Sequence, residues 1–517
     1  MIGASTEPEV GERWQVLTLS TIAFTLLFGV WLMLGVLNIP MKKSLGLTDS
    51  QVEWLIAAAI LAGSLPRMIF GIWADRYGGR AVYLWLLLFC AIPTYLFSRA
   101  TTYPELMACT LLFGLAGNSF TAGISWNSAW FPNRSKGFAL GVVGAGNVGA
   151  SGTKLLVILV PAVLTIVPAA GLLGGIIPGG WRLVPAIYSI LLILMAVAVY
   201  LFTPKVDRRP GAGRPLAELL APLRHARVWR FSLYYVVVFG AYVALSGWLP
   251  KFYVDTYKLP LRDAALLTAL FIFPASLLRP VGGWLSDLHG PRVVTYVVFI
   301  VMTTALLALC IPNGAFGSQY QLGPAGFTAL MVVVGCGMGI GKASVYKYVP
   351  DYFPEDVGAV GGLVGALGAL GGFVLPPLFG TISRATGTPR TAFVVLLALT
   401  VVSLGWLHAV VVSIKAEERK ALGAKPSPKP RCPEPRPRAG SIGSGPPSSP
   451  GGGLGGSASI RGRPTGCSRR RPGSGASWNR ARLLARGSAA PARAGPRRGS
   501  RARTSPACSR SGRAGPS

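Results

Sequence analysis

Two arginines lie in stretches of the sequence that are otherwise suited to hydrocarbon. Arg67 stands in SLPRMIFGIWADRYGGR, residues 64 to 80, and Arg279 stands in the similar SLLRPVGGWLSDLHGPR, residues 276 to 292. A guanidinium in the middle of a bilayer costs between about 3 and about 17 kcal/mol, so it is rarely kept there without a partner or an aqueous cavity. Its planar fork donates paired hydrogen bonds that match a planar oxyanion. The two arginines therefore predict a binding site for such an anion.

An aspartate follows each arginine by eight residues, Asp75 in the first stretch and Asp287 in the second, which is about 12 Å along a helix. Both arginines are therefore expected well inside the membrane, at equivalent depths in two related halves. The surrounding apolar segments contain no Asp or Glu; they are 54–74, 81–99, 106–160, 183–203, 264–286 and 324–348. A purely structural pair, in which a carboxylate neutralises each arginine, is thus the less favoured alternative.

The composition places most of the chain in a membrane. Of the 517 residues 51% are hydrophobic and 13% are charged, and the mean hydropathy is +0.50. The net charge of +32 does not indicate nucleic-acid binding, because 20 of the 50 Lys and Arg residues but only one of the 18 acidic residues fall in 421–517. The seven cysteines have no CxxC or metal-ligand spacing, so no metal site is expected. The sequence contains no enzyme motif, and we predict neither a catalytic residue nor a cofactor.

Twelve segments are long and apolar enough to cross a bilayer as helices, which takes about 20 residues. They are 14–39, 52–74, 81–99, 104–128, 136–160, 183–203, 229–250, 264–286, 292–312, 324–348, 357–381 and 391–413. The linker 204–228 and the loops on its side are rich in Lys and Arg, which predicts that they and both termini face the cytoplasm. We therefore predict an all-α membrane protein of two pseudo-symmetric six-helix bundles, residues 1–203 and 229–415. The apolar segment 161–182, broken by Pro and Gly, is interpreted as an outer loop or re-entrant extension.

The remaining residues, 416–517, differ in composition from the rest of the chain. They are rich in Arg, Pro, Gly and Ser and have almost no large aliphatic residues. Such a segment cannot bury enough apolar surface to offset the entropy cost of ordering, so we predict that it is disordered. A lipid- or RNA-binding tail is one alternative. An out-of-frame extension of the coding region accounts for this composition more simply.

Two glycine-rich segments repeat at corresponding positions of the two halves. GVVGAGNVGASG, residues 141 to 152, lies in the fifth segment, and GGLVGALGALGGF, residues 361 to 373, lies in the eleventh. Small residues at this spacing let helix backbones approach closely, so helix packing is the simplest interpretation. The glycines assigned to packing are Gly144, Gly146, Gly149, Gly365, Gly368, Gly371 and Gly372.

A polar motif on the expected cytoplasmic side is also repeated. Residues 71–80 have the form G-x-x-x-D-R-x-G-x-R, and residues 283–292 keep G-x-x-x-D-x-x-G-x-R. The doubled motif resembles the major facilitator superfamily, whose members carry it in both halves of a twelve-helix, two-bundle fold. This resemblance implies a cytoplasmic latch between the bundles. The residues it assigns to the latch are Gly71, Asp75, Arg76, Gly78, Arg80, Asp287 and Arg292.

The arginine pair and the two glycine-rich segments together resemble the nitrate/nitrite porter family over about residues 14 to 413. The resemblance implies that Arg67 and Arg279 clamp the anion. It also implies a surrounding shell made of Asn147, Tyr235, Phe239, Phe120, Gly117 and Phe28. Phenyl rings would form an apolar box around a weakly hydrated anion, while the Tyr235 hydroxyl and the Asn147 amide would donate hydrogen bonds. Taken singly, each aromatic residue is more simply interpreted as bundle core.

Two lysines are candidates for proton coupling. Lys342, in GMGIGKASVYKYVP, stands where a neutral residue is common in the family, and Lys154 follows Asn147 by about two helical turns. This feature resembles the family branch regarded as proton-coupled nitrate symporters. Because the apolar segments contain no carboxylate, a lysine, a tyrosine or the anion itself would have to carry the proton. The alternative is that Lys342 lies near a helix end and extends to the interface.

The expected function is therefore proton-coupled import of nitrate, with nitrite as a second substrate, by alternating access around the arginine pair. The resemblance implies a location in the cytoplasmic membrane of a bacterium, where the chain would act as a monomer in the lipid bilayer. Three alternatives stay open. They are a nitrate/nitrite antiporter, a carrier of organic carboxylates, and a nitrate sensor that binds the anion without transport.

Overall fold

The computed structural model describes residues 10–151, 171, 177–311 and 322–423. Within these ranges the chain contains eleven helices that are long and apolar enough to cross a membrane. Together with the shorter α5 (Lys136–Ala145), we number them in chain order. They are α1 (Val10–Leu32), α2 (Asp49–Tyr77), α3 (Gly79–Arg99), α4 (Tyr103–Trp130), α6 (Gly180–Phe202), α7 (Ala226–Tyr257), α8 (Arg262–His289), α9 (Pro291–Cys310), α10 (Pro324–Tyr352), α11 (Val357–Thr386) and α12 (Thr391–Gly423, with Thr391–Glu417 as its membrane-spanning part).

The helices agree with the predicted segments over most of the membrane body. Eleven of the twelve predicted segments coincide with long helices, which confirms the all-α membrane fold. The helix α5 and the short turn after it are described as far as Ser151, so the end of the predicted segment 136–160 lies outside the described residues, as does most of 161–182. The described helices belong to one compact unit, and the division at 204–228 into two bundles stays a prediction.

The end of the last helix differs from the predicted boundary. The helix that begins at Thr391 continues to Gly423, past the expected start of the tail at 416. Residues 416–422 are Ala, Glu, Glu, Arg, Lys, Ala and Leu, which are strong helix formers and extend the helix by two turns. The rest of the predicted tail, from residue 424 on, lies outside the described residues.

Local sequence signals explain where two of the helices begin. At the start of α2, Thr48 Oγ1 accepts a hydrogen bond from the Gln51 amide at 3.2 Å, and Gln51 Oε1 accepts one from the Thr48 amide at 2.9 Å. Thr102 and Glu105 form the same capping box before α4. In each case the T-x-x-Q/E pattern satisfies backbone donors that the first helical turn leaves free.

Two long helices are interrupted directly before the arginines. In α2 a turn covers residues 63–66 and the helix resumes at Arg67. In α8 the interruption is the single residue Leu278, and the helix resumes at Arg279. An interruption leaves carbonyl groups of the preceding turn without their helical donors. Both arginines therefore stand next to free backbone acceptors in the interior of the protein.

Pro66 accounts for part of the interruption in α2. Proline has no backbone N–H, so the carbonyl of Ala62, four residues earlier, loses its helical donor. The side-chain amide of Asn118 in α4 donates to this carbonyl at 3.2 Å. The turn is thus held by a buried polar contact between neighbouring helices.

Two crossings between the predicted halves place backbone against backbone. A Cβ added to Gly71 of α2 would lie 2.1 Å from the carbonyl oxygen of Gly358 in α11, and one added to Gly283 of α8 would lie 2.0 Å from that of Gly137 in α5. Real Cβ atoms do not approach so closely, so both crossings require glycine on steric grounds. Gly71 and Gly283 are the first residues of the two copies of the repeated motif, and the crossings fix α2 against α11 and α8 against α5.

Candidate anion-binding site

Arg67 lies in the interior of the protein and is only partly satisfied. Its side chain is fully buried. The Nε atom donates to the carbonyl of Gly63 at 2.8 Å, and Nη1 donates to the carbonyl of Gly365 in α11 at 3.0 Å. The first acceptor is freed by the interruption of α2, and the second belongs to the opposite half. The remaining nitrogen, Nη2, has no hydrogen-bond partner within the described ranges.

Arg279 is equally buried but has fewer partners. Its Nε, Nη1 and Nη2 atoms all lack a hydrogen-bond acceptor among the residues that the structure describes. The ion pairs of these residues include neither Arg279 nor Arg67. Neither arginine is therefore neutralised by a carboxylate of this part of the chain, and Arg279 is the more available donor of the two.

One ring brings the two guanidinium groups together. The Cζ atom of Arg67 lies 5.9 Å from the centroid of the Phe120 ring, and that of Arg279 lies 5.0 Å from it. Arg67 also lies 5.8 Å from the Phe239 ring. A cation near an aromatic face is attracted by the ring quadrupole, which offsets part of the cost of burial. The structure thus places both arginines close to Phe120, and Arg67 close to Phe239 as well; these are two of the three predicted phenylalanines.

Tyr235 is part of the same cluster. Its ring stacks on Phe239 with centroids 5.0 Å apart and lies parallel to Phe120 at 6.4 Å. Its hydroxyl is buried and has no hydrogen-bond partner in the described ranges. Tyr346 of α10, which sequence analysis missed, packs edge-on against Tyr235 at 4.6 Å and donates to the carbonyl of Gly361 at 2.9 Å.

Asn147 lies in the short helical turn Gly146–Val148 that follows α5. It follows Gly144 by three residues, and residues at this spacing share a helix face. A Cβ at Gly144 would lie 2.3 Å from the Nε atom of Arg279. The amide nitrogen and oxygen of Asn147 are buried and have no hydrogen-bond partner in the described chain. Asn147 therefore adds a buried donor without a partner, three residues along the chain from the glycine that contacts the guanidinium.

The predicted packing glycines divide into two groups. Gly144 makes room for the Arg279 side chain, and Gly365 and Gly368 make room for the Tyr346 hydroxyl and the Tyr235 ring. The other four contact neighbouring helices instead: Gly146 and Gly149 meet α1, and Gly371 and Gly372 meet α7. Three of the seven thus shape the cluster around the arginines, a role that the spacing of small residues alone does not reveal.

Phe28 and Gly117 contact this cluster through a second residue that sequence analysis missed. Trp31 contacts Arg67: the Cζ atom of Arg67 lies 5.0 Å from the centroid of the Trp31 ring. Phe28 packs edge-on against Trp31 at 5.3 Å, and a Cβ at Gly117 would lie 2.7 Å from the Trp31 ring. Both residues support the tryptophan rather than reach the guanidinium. Spacing carries a usable signal, because α1 has aromatic residues at 24, 28 and 31 and α7 has them at 235, 239 and 242.

Lys342 is buried in α10 and does not extend to the interface, which contradicts the alternative of a helix-end lysine. Its Nζ atom donates to the carbonyl of Ala275 at 2.9 Å. It also lies 3.1 Å from the centroid of the Tyr242 ring and 5.8 Å from that of Phe239. A third cation thus stands at the edge of the arginine cluster. Lys154 lies outside the described residues.

The first repeat of the polar motif joins α2 to α11 through its aspartate. Asp75 is fully buried, and its Oδ2 atom accepts a hydrogen bond from the Gly358 amide at 2.7 Å. Its Oδ1 atom accepts one from the Ser125 hydroxyl. A carboxylate at a helix N-terminus satisfies free amides and interacts favourably with the helix dipole. The contact therefore stabilises the packing of α11 on α2.

The second repeat forms the corresponding contact between α8 and α5. Asp287 accepts hydrogen bonds from the amides of Gly137 at 2.9 Å and Phe138 at 2.7 Å, at the start of α5. It also forms a buried ion pair with Lys347 of α10 at 2.8 Å. Lys347 in turn donates to the carbonyl of Asn133 at 2.6 Å. The two aspartates thus cap the two glycine-rich helices symmetrically.

The arginines of the motif contact their own half instead. Arg80 Nε donates to Thr203 at 2.9 Å, and its backbone amide donates to Asp207 at 2.8 Å. Arg292 donates to the Tyr352 hydroxyl at 3.0 Å. Arg76 is partly exposed at the last turn of α2, while Gly78, with φ of 96°, provides the turn into α3.

The linker crosses from one half to the other beside these contacts. The amide of Gly211 donates to the backbone carbonyl of Asp75 at 3.0 Å. Arg214 pairs with Asp356, just before α11, at 2.8 Å. Burial raises the pKa of the Asp356 carboxyl, and the positive charge of Arg214 opposes this rise. The segment 204–228 is therefore attached to both α2 and the start of α11.

Removing the charge of Asp287 tests the buried contact. We expect Asp287→Asn to lower the melting temperature of the purified protein clearly, because the buried Lys347 then keeps only the more distant Asp351, at 3.5 Å, as an acidic partner, and breaking a buried ion pair costs up to about 3–5 kcal/mol. The exposed Asp263 at the other end of α8 provides the control Asp263→Asn, for which we expect no change. Equal melting temperatures for both variants would contradict the assigned ion pair.

Comparison with known proteins supports the architecture. The sequence profile of the Major Facilitator Superfamily matches residues 19–323 and 257–472. The fucose:proton symporter FucP of E. coli matches with a TM-score of 0.58 at 16% identity, over 77% of this chain and 98% of FucP. The proton:xylose symporter XylE matches with a TM-score of 0.60 at 14% identity, over 77% and 95%. At these identities the two structures indicate the fold alone.

The sequence relatives indicate a narrower family than the structural matches do. The chain is 56% identical to the "Probable nitrate/nitrite antiporter NarK1" of Thermus thermophilus, over 81% of this chain and 96% of that protein. It is 31% identical to the "Probable nitrate/nitrite transporter NarK2" of Mycobacterium tuberculosis, over 74% and 93%. It is 29% identical to the "Nitrite extrusion protein" of Bacillus subtilis, over 74% and 90%. With its membrane helices, the chain is an integral membrane transport protein rather than an enzyme, and it belongs to the nitrate/nitrite porter family of the Major Facilitator Superfamily.

Proposed function

We propose that this protein carries nitrate across the cytoplasmic membrane, with nitrite as a second substrate. The observation that carries the proposal is the convergence of Arg67 and Arg279 on the Phe120 ring, with no carboxylate of the described chain within 4 Å of either. Four of their six side-chain nitrogens lack an acceptor there. Each unsatisfied buried donor costs about 1–3 kcal/mol, and more when charged, so a bound anion removes a large penalty.

The walls around the arginines favour a small anion over an organic carboxylate. The rings of Phe120, Tyr235 and Phe239 are almost completely buried and lie within 6.5 Å of one another. Such a box supplies little polar surface for the rest of a larger substrate. A planar ion of three or four atoms would accept from the Arg279 fork and from Nη2 of Arg67, and it would be covered by rings. The names of the sequence relatives agree with nitrate and nitrite.

We propose that the uptake of nitrate is coupled to the uptake of protons. Support comes from Lys342, a group next to the arginine cluster that can release and rebind a proton, whereas guanidinium groups stay charged. In this scheme one proton and one anion enter together, and Lys342 holds the proton. Lys154, the second candidate, lies outside the described residues.

Exchange of nitrate for nitrite is the second candidate function, and two observations favour it. The relative with 56% identity is named an antiporter. In addition, Arg67, Arg279 and Lys342 place three basic groups in the interior without an acidic partner in the described chain. Moving the empty site from one side of the membrane to the other would then be costly, because its buried positive charges would have no anion to compensate them. A carrier of this kind would cross the membrane only with an anion bound.

Proteoliposomes test the function and distinguish the two coupling modes. We expect labelled nitrate to enter empty vesicles when the lumen is made alkaline, which only proton-coupled import allows. If uptake requires nitrite inside and ignores the pH gradient, exchange replaces symport. Absence of nitrate flux under both conditions, with nitrate binding retained, would identify a sensor. Absence of binding as well would refute the proposed function.

Tyr235→Phe tests the role of the free hydroxyl. The substitution removes one neutral donor and keeps the ring, so we expect the apparent affinity for nitrate to fall by about 3- to 10-fold. Maximal uptake should change little. Tyr257→Phe, in the same helix α7, is the matched control because its hydroxyl donates to the backbone of Leu322 at 2.9 Å. An unchanged affinity in Tyr235→Phe would exclude the hydroxyl from the anion shell.

The proposed orientation places both termini and the linker in the cytoplasm. Basic residues in the linker, in the motif loops and in the α4–α5 loop support it; they include Arg76, Arg80, Arg134, Arg208 and Arg209. The chain would work as a monomer. A cysteine added next to Arg208 should react with an impermeant thiol reagent only after the cytoplasmic face is opened to it.

A further inference from the structure

The two halves of the site can be compared position by position. The aromatic residues Phe24, Phe28 and Trp31 of α1 recur 211 residues later as Tyr235, Phe239 and Tyr242 of α7. Gly63 and Ala275 both precede an arginine by four residues; Gly63 is the first residue of the interruption in α2, and Ala275 lies in the last helical turn before the interruption in α8. Each half therefore offers a cation the same two partners, which are an aromatic face and a free backbone carbonyl.

In the first half Arg67 itself uses both partners. Its Cζ atom lies 5.0 Å from the Trp31 ring, and its Nε atom donates to the Gly63 carbonyl at 2.8 Å. This geometry holds the side chain against its own helix. Only one of its nitrogens stays without a partner in the described chain.

In the second half Lys342, and not Arg279, uses the aromatic face and the backbone carbonyl. The Nζ atom of Lys342 lies 3.1 Å from the centroid of Tyr242, the counterpart of Trp31. It donates to the carbonyl of Ala275, the counterpart of Gly63, at 2.9 Å. Lys342 thus occupies the place that the internal repeat assigns to the guanidinium of Arg279.

Arg279 consequently points elsewhere. Its guanidinium lies over Phe120 of the opposite half at 5.0 Å, and Gly144 of α5 leaves the space that it needs. All three of its nitrogens lack an acceptor among the described residues. The repeat therefore differs in one respect that matters for binding, because one arginine is fixed to its helix and the other is not.

We propose that Lys342 is a positioning residue that keeps Arg279 off the carbonyl of its own helix, so that the whole guanidinium stays available to the anion. The inference rests on the proposed anion site. A carbonyl at a helix interruption needs a donor. When Lys342 satisfies the Ala275 carbonyl, Arg279 loses an alternative internal partner. The fork then forms its hydrogen bonds with substrate.

The substitution Lys342→Met removes the ammonium and keeps the length of the side chain. In a structure of this variant without substrate we expect the Nε atom of Arg279 within about 2.8–3.2 Å of the Ala275 carbonyl, as Arg67 binds Gly63. We expect the nitrate affinity of the purified variant to fall about tenfold. Lys342→Arg keeps a donor and a stacking group, so Arg279 should stay over Phe120 and the affinity should stay within about threefold of the wild type.

Lys251→Met, at an exposed lysine of α7, is the control and should leave both readouts unchanged. An Arg279 side chain that stays over Phe120 in Lys342→Met overturns the inference, even if affinity falls, because the loss would then come from charge alone. If Lys342→Met does not fold, a Lys342→Arg variant in which Arg279 has moved to the Ala275 carbonyl overturns it as well. Wild-type protein that binds no nitrate would refute the proposed function instead, and the movement of Arg279 is measured independently of that result.

Discussion

Arg279→Lys should reduce nitrate uptake by roughly 30-fold or more while the protein remains folded and inserted. The guanidinium offers three free nitrogens over Phe120, and lysine replaces this planar fork by a point charge that cannot form paired hydrogen bonds. Loss of a buried, charge-assisted contact costs about 2–5 kcal/mol. Because Arg279 makes no internal hydrogen bond in the described chain, the loss should fall on substrate binding and not on stability.

Uptake of labelled nitrate into proteoliposomes and the melting temperature in detergent measure the two effects separately. Arg262→Lys is the matched control, because Arg262 is an exposed arginine at the N-terminal end of the same helix α8. Full flux in Arg279→Lys would remove the arginine pair from the transport mechanism. A large drop in melting temperature with equal loss of flux would assign Arg279 a structural role instead.

The fold was predictable because the bilayer imposes a simple rule. Apolar runs of about 20 residues must be helical there, since no water is available for the backbone. The interruptions before Arg67 and Arg279 were not predictable in the same way. Pro66 marks the first, and Pro280, in the first turn of the helix that resumes at Arg279, marks the second, but a proline alone does not tell a kink from a complete break. These breaks create the free carbonyls around which the cations are arranged.

The site residues that could be predicted are those whose burial in a membrane costs much free energy. Arg67 and Arg279 are expensive inside a membrane, so their presence indicates function. Trp31 and Tyr346 were missed because aromatic residues are ordinary in apolar helices, and only their contacts single them out. The placement of Lys342 on the Ala275 carbonyl could not be derived from spacing, because it depends on which face of α10 meets α8.

The polar motif, too, was predictable in part: its position was, but the partners of its individual residues were not. Its doubled pattern predicts a contact region at one end of the bundle, and the aspartates Asp75 and Asp287 do join the predicted halves. The motif arginines bind within their own half, as Arg80 does through Thr203. Sequence alone cannot separate these roles, since both residue types are equally polar and equally close to the turn. The side on which each finds its partner is set by the three-dimensional packing.

Gly144→Ala should abolish high-affinity nitrate binding without unfolding the protein. A Cβ at this position would lie 2.3 Å from Nε and 2.4 Å from Cζ of Arg279, and these are the nearest atoms to it. The end of a long side chain can move away, whereas a backbone cannot. Alanine also favours the helix over glycine by about 0.5–1 kcal/mol. The added methyl group therefore displaces the guanidinium and leaves α5 intact.

Two further glycines make this expectation specific. Gly405→Ala, in α12, adds a methyl group with nothing within 4 Å and should change neither binding nor stability. At Gly149 the added Cβ would lie 2.0 Å from the backbone carbonyl of Thr25, so Gly149→Ala should lower the melting temperature. If Gly144→Ala loses stability as Gly149→Ala does, the glycine serves helix packing. If it keeps both stability and affinity, Arg279 does not need its position over Phe120 to hold the anion. Only loss of affinity at unchanged stability assigns the space beside Gly144 to the guanidinium.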